Sequence, residues 1–185
     1  MNKIAVFFPG IGYHCDKPLL HYGRDIAVEM GYRDFKNIWY STHDLKGEKK
    51  KVKETFSTLY GQAEEALKEM DWYAYDEILF VSKSIGTAIA SAYAGQHELK
   101  GVRHVLYTPL METFDYHPQN AVAFIGSADP WSDVSQIQET CDEQQIPLFI
   151  YEGADHSLET EDTLVNLDIM KEVMRKTRDF MSRGM

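Results

Sequence analysis

Glu77-Ile78-Leu79-Phe80-Val81-Ser82-Lys83-Ser84-Ile85-Gly86-Thr87 reads as a strand running into a tight turn and then a helix. After Glu77 the run is apolar and β-favouring up to Val81, the pattern of a strand covered on both faces. Residues 85–94 are small and apolar on most sides, which suits a helix packed deeply on a sheet, and Gly95 closes it.

The same alternation continues in both directions. Upstream, Lys3-Ile4-Ala5-Val6-Phe7-Phe8 is a short apolar strand ending in Pro9-Gly10-Ile11-Gly12. A helix is expected over 17–30, stopped by Gly31, then a second strand over 35–41 containing Ile38-Trp39-Tyr40. Phe56, Leu59, Ala63, Ala66, Leu67 and Met70 recur at spacings of three and four and mark an amphipathic helix over 54–70. Downstream, strands are expected at 102–107, 121–125 and 147–151, with helices over 132–144 and 161–181. The pattern predicts an α/β fold: three α/β/α layers around a mostly parallel sheet of about six strands with right-handed crossovers. Neither a repeat nor a linker interrupts it, so residues 1–185 are expected to form a single domain, with no insertion large enough for a separate cap domain.

Composition narrows the function. Nineteen Lys and Arg against twenty-nine Asp and Glu give a net charge of −10, which disfavours nucleic acid as a partner. The basic run Lys49-Lys50-Lys51-Val52-Lys53 is short and reads as a solvated face. No apolar stretch approaches the ~20 residues that span a bilayer, and the start of the chain lacks the features of a signal peptide. A cytoplasmic location, with Cys15 and Cys141 as free thiols, is the expectation. The seven His residues are scattered without metal-ligand spacing, so no metal is expected.

In open α/β sheets ligands sit beyond the carboxyl ends of the strands, so the residues that follow each strand carry the functional question. Ser84 has a small residue two positions away on each side, Ser82 and Gly86. A sharp strand-to-helix turn requires small flanks, because neighbouring backbone passes close by; it also raises the central hydroxyl above the sheet beside free helix N–H groups. The strand at 121–125 is followed by Gly126-Ser127-Ala128-Asp129-Pro130-Trp131, and the sixth by Glu152-Gly153-Ala154-Asp155-His156-Ser157. Taken singly, each residue has a plainer reading: Ser84 as a helix cap, Asp129 as a turn carboxylate, His156 as a polar loop residue.

In these loops, and in that order, the chain resembles the α/β-hydrolase family. The resemblance covers nearly the whole chain and implies Ser84 as nucleophile, His156 as general base and Asp129 as the acid that orients it. It implies an oxyanion hole made by the N–H of Ile85 and a second N–H from the first-strand loop, here that of Ile11. Where such families commonly carry His-Gly in that loop, this chain has Pro9-Gly10. Asp155, adjacent to His156, Asp133, four residues beyond Asp129 and read as helical, and Glu112 and Asp115, after the fourth strand, are competing acids. With the first strand beginning at Lys3, the usual leading hairpin of the sheet is not expected. The irregular stretch 108–120 carries Leu110, Met111, Phe114 and Tyr116; Met111 and Phe114, with Tyr13 and Trp131, are the candidate lining of a shallow acyl pocket, the plainer reading being cover for the sheet edge.

The expectation is a serine hydrolase acting on a small ester, thioester or amide through an acyl-enzyme, without a metal or organic cofactor. Two other classes stay open. One is a hydrolase-fold binding module without catalysis. The other is a nucleotide-binding protein using Gly10-x-Gly12 and Asp44, although Cys15 stands at the third glycine position of that fingerprint.

Overall fold

The computed structural model describes residues 1–41 and 52–182. Its elements in chain order are β1 (Lys3–Phe8), α1 (Pro18–Glu29), β2 (Asp34–Asn37), α2 (Val52–Leu67), β3 (Glu77–Lys83), α3 (Ile85–Gln96), β4 (Arg103–Tyr107), β5 (Ala121–Gly126), α4 (Val134–Glu143), β6 (Leu148–Tyr151) and α5 (Thr163–Ser182). Short 3₁₀ turns cover Trp72–Ala74 and Met111–Tyr116. The six strands form one sheet in the order β2-β1-β3-β4-β5-β6, and every pairing is parallel.

The apolar runs explain that arrangement. Ala5, Phe7, Leu79, Val81, Val105 and Phe124 point to one face, where they pack with residues of α1 and α5 such as Leu19, Leu20, Val173 and Met181. Ile4, Val6, Phe8, Ile78 and Phe80 point to the other, under Leu59 and Ala63 of α2 and Ile89 and Tyr93 of α3. Ile137 and Cys141 of α4 cover Leu106, Ala123 and Ile125. Strands buried on both sides have no polar face to alternate with, hence the near-continuous hydrophobic runs. Cys15 and Cys141 are free and lie in different clusters, and burial pushes both thiols up to about 12.

Three expectations change. The second strand ends at Asn37, not Ser41. Ile38 still donates its N–H to the Phe7 carbonyl at 2.9 Å, but β1 then runs into Pro9, which has no N–H to extend the ladder. The chain leaves the sheet with Trp39 exposed, and Gln62 of α2 grips Ser41 through both its backbone groups. Asp133 is not in α4 but caps it, accepting from the N–H groups of Ser135 and Gln136. Residues 108–120 are not wholly irregular: the 3₁₀ turn packs on α3, joined by a 2.6 Å hydrogen bond between the Thr87 and Thr113 hydroxyls.

Chain order reverses direction across the sheet between β1 and β3. A crevice opens at such a switch point, outside the carboxyl ends of the strands. The loops after β1, β3, β5 and β6 converge there.

Candidate active site

Ser84 links β3 to α3 with φ 57° and ψ −131°, a conformation L-residues rarely adopt. The surroundings enforce it. Its N–H donates to the Tyr107 carbonyl at 3.0 Å, continuing the β3–β4 ladder, and its carbonyl accepts from both the N–H and the hydroxyl of Thr87. The small flanks are required. A Cβ on Gly86 would run into the carbonyl oxygens of Phe8 and Pro9, and one on Gly10 would lie 3.1 Å from the Ser84 Cβ. Ser82 is fully buried and satisfies its hydroxyl by donating to the Val105 carbonyl at 3.2 Å, which is how serine occupies a position where glycine is commonest.

The Ser84 hydroxyl does not cap α3. Its Oγ lies 2.7 Å from Nε2 of His156, and Nδ1 of His156 lies 2.7 Å from Oδ2 of Asp129. The Asp129 side chain is completely shielded from solvent, and its other oxygen accepts from the Trp131 N–H at 2.9 Å. With the carboxylate accepting from Nδ1–H, Nε2 is left to accept the serine proton. A backbone contact sets the spacing of acid and imidazole. Gly126 at the end of β5 packs so tightly on Ala154 that a Cβ there would lie 2.5 Å from the Ala154 carbonyl carbon. The Ala128 N–H donates to the same carbonyl oxygen at 3.0 Å.

The competing acids are engaged elsewhere. Asp133 caps α4, and Asp155 folds its own loop by accepting from the N–H groups of Ser157 and Glu159. Glu112 and Asp115 line the cavity on the α2–α3 side, while it is Asp129 that meets His156 Nδ1. Asp44 and most of the basic run lie outside the described residues. Among the described residues no hydrogen bond engages the N–H of Ile11 or of Ile85. Among the described residues no group of three His, Cys, Asp or Glu side chains could hold a metal ion, and no helix among them is long and apolar enough to cross a membrane.

Two cavities adjoin the neighbours of Ser84, one at Ile85 and one at Lys83 and His156. One, of about 320 Å³, is lined by Phe56, Ile85, Ala88, Leu110 and Tyr116. The other, of about 500 Å³, is lined by His156, Tyr13, Lys83 and Lys17, with Ile11 and Trp131 exposed on its wall. Of the expected pocket residues, Tyr13 and Trp131 are there, the Trp131 ring 6.2 Å from that of His156. Phe114 is instead buried in the core beneath α4, and Met111 packs against that core; neither lines the two cavities. The sequence reading missed Phe56 and Lys83. Phe56 carries only a helical-face signal, and Lys83 owes its placement to a loop distant in sequence.

Comparison with solved structures gives consistent neighbours. An esterase from Pyrococcus furiosus matches with 14% identity and a TM-score of 0.67, over 98% of this chain and 83% of that one. A serine hydrolase without a lid from Xanthomonas campestris matches with 14% identity and a TM-score of 0.65, over 99% and 84%. An α/β serine hydrolase homologue from Coxiella burnetii matches with 12% identity and a TM-score of 0.65, over 95% and 84%. No family model and no curated protein matches the sequence. The likeness is one of fold: this chain has the α/β-hydrolase fold.

Proposed function

We propose that the protein is a serine hydrolase, of carboxylesterase or thioesterase type, that cleaves a small ester, thioester or amide through an acyl-enzyme on Ser84. The observation that carries this reading is the unbroken relay Ser84 Oγ, His156 and Asp129, with both links at 2.7 Å. It is supported by a strained backbone at Ser84 and by the unengaged N–H groups of Ile11 and Ile85.

In the first half-reaction Ser84 Oγ attacks the carbonyl carbon, and its proton passes to His156 Nε2. Negative charge develops on the carbonyl oxygen, where the N–H groups of Ile11 and Ile85 stabilise it, each worth about 3 kcal/mol in sites of this kind. Collapse breaks the bond to the leaving group, which takes the proton from the imidazolium. Water then repeats the sequence on the acyl-enzyme, returning the acid product and free Ser84. Asp129 fixes the tautomer of His156 and offsets its transient charge.

The test is labelling with a fluorophosphonate, with the modified peptide located by mass spectrometry. Label confined to the Ser84 peptide, and lost in Ser84→Ala, is the expected result. A folded wild type that takes no label would overturn the proposal in favour of a binding module without catalysis.

A further inference from the structure

Of the buried ionisable groups that the proposed chemistry does not use, Lys83 is the one beside the nucleophile. Lys83, between Ser82 and the nucleophile, is only 3% exposed. Its ammonium sits 4.9 Å from the centre of the Tyr13 ring. That ring is itself fixed, because the Tyr13 hydroxyl accepts from the Leu19 N–H at 3.1 Å, at the start of α1. Among the described residues Lys83 has no ion pair and its ammonium donates no hydrogen bond. A cation–π contact stabilises an ammonium, but by much less than removal from water costs it. Burial pulls the Lys83 amine down to about 8, against the opposing pull of the Asp129 and Asp155 carboxylates. An apolar side chain of similar length would fill the same space at lower cost.

Position supplies a reason for the charge. Lys83 lines the same cavity as His156. The group that His156 protonates is the leaving group, so that cavity receives the leaving group, while the cavity beside Ile85, largely apolar but also lined by Glu112 and Asp115, receives the acyl chain. We propose that Lys83 is a specificity residue that binds a carboxylate on the leaving-group portion of the substrate, an inference that rests on the acyl-enzyme reading above. A singly charged carboxylate fits better than a phosphate dianion. Lys17 adds a second cation to the cavity and Asp155 and Glu159 line it as well, so the lining charges balance and a single negative charge is what the Lys83 ammonium can match. The incoming carboxylate gives the ammonium a direct ion-pair partner, which it lacks among the described residues.

The experiment compares 4-acetoxybenzoate with methyl 4-acetoxybenzoate, two acetate esters whose leaving groups differ by one carboxylate charge. In wild type the carboxylate substrate is expected to have the higher kcat/KM, by roughly 10–100-fold, carried by KM, since the ion pair forms equally in ground and transition states. Lys83→Met is expected to erase that ratio. Should the variant not fold, inhibition of wild type by the two products decides: 4-hydroxybenzoate is expected to bind at least tenfold tighter than its methyl ester. Ser84-dependent cleavage of both esters without a preference for the carboxylate, or a preference unchanged in Lys83→Met, overturns the role of Lys83 and leaves the hydrolase reading standing. Absence of both cleavage and fluorophosphonate labelling overturns the two together.

Discussion

At Ser84 the backbone is held at φ 57° by hydrogen bonds to Tyr107 and Thr87 rather than by its own side chain, so the hydroxyl is free to meet His156. Asp129 in turn is fixed from two directions, by the imidazole and by the Trp131 N–H. Asp129→Asn keeps the shape but favours the wrong imidazole tautomer; kcat is expected to fall about 10⁴-fold with little change in melting temperature. An unchanged kcat, with loss in Glu112→Gln or Asp115→Asn, would move the acid elsewhere. Lys83 makes the opposite kind of prediction, about stability. With its amine lowered from 10.5 to about 8, the unfolded chain binds a proton between those values that the folded chain does not. Stability therefore rises as pH climbs from about 8 to 10.5, and the full penalty stays in place below 8. Removing it in Lys83→Met is expected to stabilise the fold at pH 7 by up to about 3 kcal/mol, read from denaturant midpoints. A destabilised variant would mean that Lys83 has a structural partner. That Ser84 sits in a sharp turn, and that Asp129 and His156 follow strand ends, was legible from the small flanking residues and the apolar runs; the roles proposed for them came from the resemblance to a known family. The burial of Lys83 was not legible, since it depends on Tyr13 from the loop after β1.

The elements are held together at their tips by close backbone packing. Gly126 ends β5 against Ala154, which follows β6, so the loops bearing Asp129 and His156 are braced as one unit. Gly126→Ala must force them apart. It is expected to cost at least ~3 kcal/mol and to lower kcat in the material that still folds. Gly61→Ala, in the interior of α2 with nothing within 4 Å of the added methyl, is expected to gain roughly 0.5–1 kcal/mol. Thermal melts and initial rates on the pair separate crowding from helix propensity. Element types were readable along the described chain because short apolar runs and three-four spacings differ plainly. The end of β2 was not readable, because it is set by Pro9 on the neighbouring strand. Nor was the placement of Phe114, since an aromatic residue in a segment without periodicity does not reveal which side of the segment faces the core.

At the scale of the whole molecule, stability is expected to fall toward acid pH. His104 in β4 is fully buried against the edge of Phe80, and its Nδ1 has no hydrogen-bond partner. Burial holds the ring down to about 4 instead of 6.5. Between these values the unfolded chain takes up a proton that the folded one refuses, so stability falls as pH drops from 6.5 toward 4. His104→Leu is expected to flatten the pH dependence of the denaturant midpoint in that window. A slope as steep as wild type's would assign the acid sensitivity to other groups. The two cavities that adjoin the neighbours of Ser84 carry a further consequence if the proposed reaction holds. The leaving group departs from the His156 side while the acyl chain stays bound beside Ile85, so the vacated space of about 500 Å³ becomes the route for the next nucleophile. That volume holds on the order of fifteen water molecules at ~30 Å³ each. A small alcohol or amine admitted there would compete with water for the same acyl group, and the molecule would then transfer acyl groups in proportion to how well the acceptor fills the emptied side.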